Sequence, residues 1–199
     1  MLSRYNKILF IIFFTFLLII NLSAQQFTIG LKFTGLSIHP KGALNAHLMP
    51  YKLDKRAIFV INPGIALSFE YFFYKDIASI KIEQAFYKDC CNQLGGFTHI
   101  GLRGRIFQIE KHSLNGGIGP TFIYRRNWYK LEGYDDTFDF FKGGNAESDW
   151  QWQFIWWGGE FEYNYRINET TELSFSIIPY IPELIELHFG TRIIINEYK

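Results

Sequence analysis

The stretch GEFEYNYRINETTELSFSI, residues 159–177, contains two runs in which apolar and polar side chains alternate. The apolar set is Phe161, Tyr163, Tyr165, Leu173, Phe175 and Ile177, and the polar set is Glu160, Glu162, Asn164, Arg166, Glu172, Ser174 and Ser176. A period of two predicts β-strands with one apolar face and one charged face. A soluble sandwich buries the apolar face, whereas a membrane barrel turns it to lipid. The two folds therefore differ in which face, apolar or charged, points to the protein interior.

The first 26 residues, MLSRYNKILFIIFFTFLLIINLSAQQ, are typical of a secretory signal peptide. Arg4 and Lys7 precede an apolar run over residues 8–22, and Ala24 is a small residue suited to cleavage. The run is shorter than the roughly 20 residues that span a membrane, although a retained anchor is the alternative. We expect a cleaved signal peptide over residues 1–24 and a single domain over residues 25–199.

The composition is unusual in its aromatic content. Aromatic residues make up 19% of the chain, with 21 Phe, 12 Tyr and 5 Trp, while charged residues are an ordinary 20%. The net charge of +1 gives no argument for a nucleic-acid partner. Past the first segment no apolar run is long enough for a transmembrane helix.

Alternation recurs along the rest of the chain and predicts eight strands. They cover residues 27–38, 57–73, 77–88, 97–107, 113–126, 150–166, 171–180 and 186–196. Most reach the length of about 10 residues that a tilted membrane-crossing strand needs, which exceeds the usual 5 to 6 of soluble sheets. The strand lengths favour a membrane barrel.

The connections between the predicted strands differ in length on the two sides. Residues 39–56, 89–96 and 127–149 are long and polar, and the connection at 181–185 is short. Those at 74–76, 108–112 and 167–170 are tight. Long loops outside and short turns in the periplasm are typical of bacterial outer-membrane barrels, and an even number of strands returns both termini to the periplasm.

The two faces of the predicted strands differ in chemistry. One face carries Phe27, Ile29, Leu31, Phe33, Ile65, Leu67, Phe69, Tyr71, Ile80, Ile82, Ile100, Leu102, Trp152, Phe154, Phe161, Tyr163, Leu187, Phe189 and Ile193. The other carries Lys32, Glu70, Lys81, Glu83, Arg103, Arg105, Arg125, Glu160, Glu162, Arg166, Glu172, His188 and Arg192. Closure into a barrel turns the first set to lipid and lets the second pair inside. Side chains fill an eight-stranded barrel, so we expect a plug of ion pairs, with a narrow channel as the alternative.

The last predicted strand, HFGTRIIINEYK, has His188, Gly190, Ile193 and Ile195 at a spacing that resembles the assembly signal of outer-membrane barrels. It departs from that form by continuing past Tyr198 to Lys199. The chain resembles the small eight-stranded outer-membrane β-barrels of Gram-negative bacteria, that is, the OmpA/OmpX-like and porin-family β-barrel proteins. The shared features are the signal peptide, the number of strands, and long loops on one side with short turns on the other. The resemblance implies a monomer in the outer membrane, without a cofactor.

The function expected with this fold is structural or surface-interactive: membrane integrity, adhesion, or presentation of the loops around 40–55 and 128–149 to a protein partner. Some barrels of this size modify lipid A. Lipid A palmitoyltransferases have a His and a Ser in or near their extracellular loops. Ser37 and His39, two residues apart at the top of the first strand, share a face on that side, with Asp54 or Asp89 as the orienting acid. A lipid A acyl hydrolase or acyltransferase is therefore the alternative.

The segment NGGIGPTFIYRRNWYK, residues 115–130, is the most distinctive of the chain. Its glycines predict close packing against a bulky interior side chain, and Pro120 predicts a bulge. At its upper end basic and aromatic residues coincide, with more tryptophan on the next strand. Guanidinium groups pair well with phosphate, so contact with the lipid A phosphates of lipopolysaccharide is expected at Arg126, Trp128, Lys130, Trp150 and Trp152. Anchoring at the membrane interface without lipid specificity is the alternative.

Cys90 and Cys91 are adjacent in the second long loop. Their α-carbons are about 3.8 Å apart across a trans peptide, below the roughly 4.4–6.8 Å usual for a disulfide. A vicinal disulfide, an intermolecular bond and a metal site with Asp89 and His99 remain alternatives. We expect no metal, because further ligands at a recognisable spacing are missing.

Overall fold

All eight alternating segments form β-strands in the computed structural model, which describes residues 26–137, 140–180 and 184–196. The strands are β1 Gln26–Ile38, β2 Phe59–Tyr74, β3 Ala78–Lys88, β4 Leu94–Ile109, β5 His112–Arg126, β6 Trp150–Arg166, β7 Thr171–Tyr180 and β8 Leu184–Asn196. The expected signal peptide and the terminal Tyr198 and Lys199 lie outside the described residues.

The strands close into a single antiparallel barrel in chain order. Each strand pairs with the next, and β1 also pairs with β8, where Phe27 lies opposite Ile195 and Leu31 opposite Thr191. Pairing of β1 with β8 satisfies the backbone hydrogen-bonding groups that the two edge strands of an open sheet would leave unpaired in lipid. The predicted fold class and strand number are confirmed.

The connections divide the barrel into two ends. The first loop (39–58), the second loop (89–93) and the third loop (127–149) lie at one end, which we call the loop end. Turns over 75–77, 110–111 and 167–170 lie at the other, the turn end. In the described residues, helix is confined to short 3-10 turns such as Ala46–Leu48 and Trp128–Lys130, and none could span a membrane.

The outer surface of the barrel is apolar. Large hydrophobic side chains are exposed on every strand, among them Ile29, Leu67, Phe69, Ile82, Leu102, Ile118, Phe122, Phe161, Leu173 and Phe189. A continuous apolar belt around a closed barrel matches the hydrocarbon of a bilayer. The aromatic residues of 159–177 therefore face lipid, and Glu160 and Glu162 are buried inside.

Charged side chains fill the interior at mid-height. Lys81 Nζ lies 2.6 Å from Glu83, 2.7 Å from Glu160 and 2.8 Å from Glu162. Lys32 Nζ approaches Glu162 at 3.0 Å and donates to Ser176 Oγ at 2.7 Å. These five charged residues come from β1, β3 and β6, so the ion pairs join distant strands across the lumen.

Two arginines extend the network towards the turn end. Arg103 contacts Glu70 at 2.9 Å, Glu160 at 2.8 Å and Glu162 at 3.1 Å. Arg192 contacts Glu70 at 2.7 Å and Glu172 at 2.8 Å. The lumen network comprises four cations and five carboxylates (Lys32, Lys81, Arg103, Arg192; Glu70, Glu83, Glu160, Glu162, Glu172), and Arg166 pairs with one of these carboxylates, Glu172.

Three further residues expected in the lumen lie at its ends. Arg105 pairs with Asp76 at the turn end, where Arg166 also reaches Glu172 from a half-exposed position. Arg125 lies at the loop end.

The glycine-rich part of β5 makes room for the network. A Cβ on Gly117 would lie 2.7 Å from Arg103 Cγ, so only glycine fits beside that side chain. The pairing of β5 with β6 shifts register between Gly119 and Thr121, at Pro120. The predicted close packing and the predicted irregularity are both present, although the extra residue of the bulge belongs to β6.

The lipid-facing belt is testable by substitution at two depths of one strand. We expect Leu67→Arg, at the middle of β2, to destabilise the barrel by about 2–4 kcal/mol, because an arginine at the bilayer midplane must leave water. Phe59→Arg, at the loop end of the same strand, costs about 0–1 kcal/mol. Equilibrium unfolding in phospholipid vesicles measures both, and equal costs would contradict a membrane-spanning orientation.

The lumen network is testable at its centre. We expect Lys81→Met to destabilise the barrel by about 3–5 kcal/mol, because it leaves buried carboxylates without their cation. Lys130→Met, which removes the exposed pair with Asp149, is the matched control and leaves the unfolding midpoint unchanged. Urea unfolding, followed by the loss of heat-modifiable migration in gels, compares the two variants. A Lys81→Met barrel as stable as wild type would show that the network is not held as the structure describes.

Candidate functional site: the mouth of the barrel

A cavity of about 980 Å³ opens at the loop end. The first loop contributes residues 41–46 to its lining, and the third loop contributes residues 140–142. The ends of the strands supply its base, including Tyr87 and Leu184. Most ligand pockets fall between about 300 and 1,000 Å³, so this cavity, which we call the mouth cavity, is large enough for a small molecule.

The first and third loops are tied to each other above the barrel. Asn45 Nδ2 donates to the Asp135 carbonyl at 2.8 Å, and the Asp135 amide donates to Asn45 Oδ1 at 2.9 Å. A third hydrogen bond joins His47 Nε2 to the Gly133 carbonyl at 3.0 Å. The two loops therefore form one cap rather than two independent tips.

A carboxylate organises the end of the first loop. Asp54 accepts hydrogen bonds from the backbone amides of Arg56 and Phe59, each at 2.9 Å. The amide of Phe59 contributes most to lowering the pKa of Asp54 below its ordinary value. The turn is held while the carboxylate is ionised and loosens as the pH falls through that lowered pKa.

The third loop is anchored at both of its ends. Asn127 Oδ1 accepts from the Tyr129 amide at 2.9 Å and caps the 3-10 turn that follows. Asn127 Nδ2 donates to the carbonyls of Asn145 and Ser148, each at 2.6 Å. One side chain thus joins the start of the loop to its return.

The back wall of the mouth cavity is an aromatic and ionic stack. The Arg125 guanidinium lies 3.5 Å from the centre of the Trp128 ring and 4.1 Å from that of Phe141. Trp128 Nε1 donates to Asp89 Oδ2 at 2.7 Å, and Asp89 Oδ1 accepts from the amides of Cys91 and Gln93. Burial raises the pKa of Asp89 despite these donors. The stack joins β5 to the second and third loops.

Charged side chains of both signs line the cavity. Among the described residues they are Lys41, Lys55, Arg56, Arg125 and Lys142, together with Asp89 and Glu186. Asp89 accepts from Trp128, Arg125 lies against the Trp128 ring, and Glu186 lies 3.4 Å from His188. The described lining therefore combines ionic and aromatic groups.

Ser37 and His39 both lie at the loop end, but they differ in setting. Ser37 is fully buried and accepts a hydrogen bond from Asn62 Nδ2 at 2.9 Å, whereas His39 lines the mouth cavity. The two acids considered as orienting groups, Asp54 and Asp89, bond to backbone amides and to Trp128. Lipid A acyl transfer stays a prediction, which mass spectrometry of lipid A from cells with and without the protein tests.

The two cysteines are buried in the second loop with free thiols. They pack with Met49, Val60 and Trp128 under the first loop. Their proposed metal partner, His99, points into the barrel, where Nδ1 lies 2.7 Å from Thr121 Oγ1. The structure therefore places the cysteines in a packed apolar cluster and does not bring His99 to them.

The residues expected at the lipid headgroups separate into two groups. Arg126 is exposed with its guanidinium 4.4 Å from the centre of the Trp150 ring, Trp152 is exposed, and Lys130 is exposed beside Asp149 at 2.7 Å. The structure corrects the expectation that Trp128 contacts the headgroups. Its side chain is 3% exposed and faces the mouth cavity, because the chain turns inward at Asn127. The alternation of β5 could not predict this inward direction of Trp128, because the strand ends at Arg126, two residues earlier.

The stack around Trp128 is the part of the site that sequence reasoning did not find. Asp89 and Trp128 are 39 residues apart, and nothing in the sequence indicates that aromatic rings enclose Arg125. A buried tryptophan and an exposed one look alike in a loop sequence. Only tertiary contact distinguishes them.

The inward position of Trp128 is testable by fluorescence. In vesicles of bromine-labelled phospholipid we expect Trp152→Phe to remove strongly quenched emission, because Trp152 is exposed on the lipid face. Trp128→Phe removes emission that the bromine does not quench. If Trp128→Phe reduced quenching as much as Trp152→Phe, the side chain would contact lipid after all.

Comparison with known proteins gives no family by sequence. No family model matches the chain, and no curated protein matches it.

Solved structures of bacterial barrels are similar in fold. The attachment invasion locus protein Ail of Yersinia pestis is 11% identical over 87% of this chain and 100% of its own, with a TM-score of 0.48. A structure of Ail in complex with the heparin analogue sucrose octasulfate is 15% identical over the same shares, with a TM-score of 0.44. The N-terminal β-barrel domain of OprF from Pseudomonas aeruginosa is 11% identical, covering 84% of this chain and 97% of that one, with a TM-score of 0.44. At these values the assignment of the fold rests on the chain's own closed barrel of eight strands.

Proposed function

We propose that the protein is a monomeric outer-membrane barrel that acts at its loop end, by binding a ligand or partner at the cell surface. The observation behind this proposal is the contrast between the two halves of the interior. Buried ion pairs occupy the lumen at mid-height, while the loop end holds a cavity under two interlinked loops. In barrels of this kind the long loops face outwards.

The filled lumen argues against transport as the main activity. Lys81 of β3 and Arg103 of β4 both contact Glu160 and Glu162 of β6, so their side chains occupy the lumen that a solute would have to pass. Parting these charges without water to replace them costs several kcal/mol. A surface role needs no such opening.

Membrane anchoring at the loop end forms the second element of the proposal. The exposed Arg126 beside Trp150, together with Lys130 and Trp152, is suited to the phosphates of lipopolysaccharide, because guanidinium and ammonium groups pair with phosphate at a headgroup interface. Such contacts would fix the height of the barrel in the membrane. The loops would then project from a fixed base.

Loop replacement separates a surface role from a structural one. We expect a barrel with residues 41–53 and 130–147 replaced by short Gly-Ser linkers to restore the detergent resistance of a deletion strain, because all eight strands remain. The same variant should lose adherence to surfaces and to other cells, measured against wild type at equal amounts of folded barrel. Full adherence without the loops would contradict the proposal.

Conductance supplies the matching control for the channel alternative. Purified wild-type protein in planar bilayers should give no discrete current steps, since the lumen network stays closed. Regular openings at low voltage would favour a channel instead.

A further inference from the structure

The buried part of the mouth cavity carries hydrogen-bond acceptors. Asn62, Asp89 and Glu186 line the cavity and are 8%, 5% and 4% exposed. Arg125 is the buried cation of the described lining, and its guanidinium is stacked on the Trp128 ring. The remaining cations of the described lining lie at exposed positions of the first and third loops: Lys41, Lys55, Arg56 and Lys142. A ligand that reaches the buried lining therefore meets carboxylate and amide groups.

The carboxylate of Asp89 is already engaged. It accepts from Trp128 Nε1 at 2.7 Å and from the backbone amides of Cys91 and Gln93 at 2.9 and 2.8 Å. These bonds serve to hold the second loop. Asp89 is therefore not the group with which a ligand would pair.

The carboxylate of Glu186 is less completely paired. Its Oε2 is buried and has no hydrogen-bond partner among the residues that the structure describes. The imidazole of His188 is its ion-pair neighbour, with Nε2 at 3.4 Å, beyond the roughly 2.7–3.2 Å of a well-formed hydrogen bond. The other nitrogen of that ring lies 3.4 Å from Glu83 Oε1. One imidazole is thus shared between two carboxylates, and Glu186 retains an acceptor for a further donor.

The side-chain amide of Asn62 supplies a second acceptor. Its Nδ2 donates to Ser37 Oγ at 2.9 Å, whereas its Oδ1 is buried and bonds to no group in the described part of the chain. A buried oxygen without a donor has lost its water without compensation, and native proteins leave few such groups. Two acceptors, one of them charged, are therefore in need of donors.

A small recess adjoins the mouth cavity at these two side chains. It has a volume of about 10 Å³ and is lined by Asn62, Tyr87, Glu186, His188 and residues 34–36. The first three of these residues also line the mouth cavity. A space of this size holds one water-sized group when polar partners surround it. An ammonium group is of that size and carries the donors that both oxygens lack.

We propose that the mouth cavity binds a soluble primary amine with an apolar body. Such an amine is protonated at neutral pH, as lysine is. Its ammonium group occupies the recess and donates to Glu186 Oε2 and Asn62 Oδ1, while the body lies in the cavity of about 980 Å³. The aromatic ring of Tyr87, which lines both spaces, gives the cation a further favourable neighbour. This inference rests on the proposed function in one respect, namely that the loop end is where a ligand binds.

Electrostatics favour a cation over the other ligand classes. An anion would bring its charge towards Glu186, and a neutral alcohol would donate one hydrogen bond without offsetting the carboxylate. Exposed cations of the loops are screened by water and salt, whereas the interaction with a buried carboxylate is strengthened by its low-dielectric surroundings. The buried group therefore outweighs the exposed ones once the ligand is inside.

Titration calorimetry with phenethylamine on the full barrel in phosphatidylcholine nanodiscs tests the proposal, with empty nanodiscs as the blank. We expect one saturable site, with phenethylamine bound at least about tenfold more tightly than phenethyl alcohol, because hydrogen bonds to a charged group are the stronger ones. Phenethyltrimethylammonium keeps the charge but has no N–H to donate, so its binding should be weaker than that of the amine. Phenylacetate should show no saturable binding.

Variants with matched changes locate the site. Glu186→Gln should weaken phenethylamine binding at least about tenfold, and Asn62→Leu about fivefold, with no effect on phenethyl alcohol. Glu132→Gln removes the same charge from an exposed position of the third loop outside the lining and should leave binding unchanged. Heat-modifiable migration shows that each variant is folded before titration.

Four results would overturn the proposal: no saturable heat beyond the blank, equal affinity for the amine and the alcohol, equal affinity for the amine and its trimethylammonium analogue, or equal losses in Glu186→Gln and Glu132→Gln. Loss of phenethylamine binding in discs that contain phosphatidylethanolamine would assign the recess to the primary amine of that lipid and would overturn a soluble ligand.

The outcome is separable from that of the proposed function. Loop-dependent adherence with no binding of phenethylamine would reject this ligand class alone. Binding of phenethylamine by wild type, together with full adherence of the loop-replaced barrel, would reject the proposed surface role and keep the ligand.

Discussion

The pairing of buried charges inside the barrel is the constraint on which the rest of the structure depends. Moving carboxylate and ammonium groups out of water costs several kcal/mol each, and only close, multiple pairing offsets that cost. Lys81 meets this requirement with three carboxylates within 2.8 Å, and Arg103 with three within 3.1 Å. Apart from Lys81–Glu83, which lies within β3, these contacts join side chains of different strands, so the network favours one closed arrangement.

That network also decides where chemistry can take place. With the lumen filled at mid-height, the mouth cavity at the loop end is the large space open to a ligand among the described residues. The charged interior continues up to this cavity, because Glu186 lines it and lies 3.4 Å from His188, which is itself 3.4 Å from Glu83.

Much of the fold followed from sequence because a transmembrane strand repeats one simple rule. Each second residue must suit hydrocarbon, so the alternation in β6 and β7 predicts both the strand and its faces. Lys32, Glu70 and Glu162 sit in regular strand positions, which is why their inward direction could be predicted. Their specific partners could not, because distance across a lumen is not encoded in the spacing along any one strand.

The mouth shows the opposite case. Trp128 follows β5 by two residues and was expected at the headgroups on the strength of its neighbours Arg126 and Lys130. Its burial depends on a hydrogen bond to Asp89, 39 residues earlier, and on stacking with Arg125. Loops obey no period, so the side on which each residue lies is set by contacts that form only in the folded cap.

Charge sorting in the cap follows from the same tertiary contacts. The third loop is acidic in sequence, and alone it would favour a cationic partner. The hydrogen bonds of Asn45 with Asp135 turn this part of the loop towards the first loop, while Lys142 reaches the cavity beside Phe141. The chemistry that such a barrel can recognise therefore depends on how its loops fold more than on what they contain.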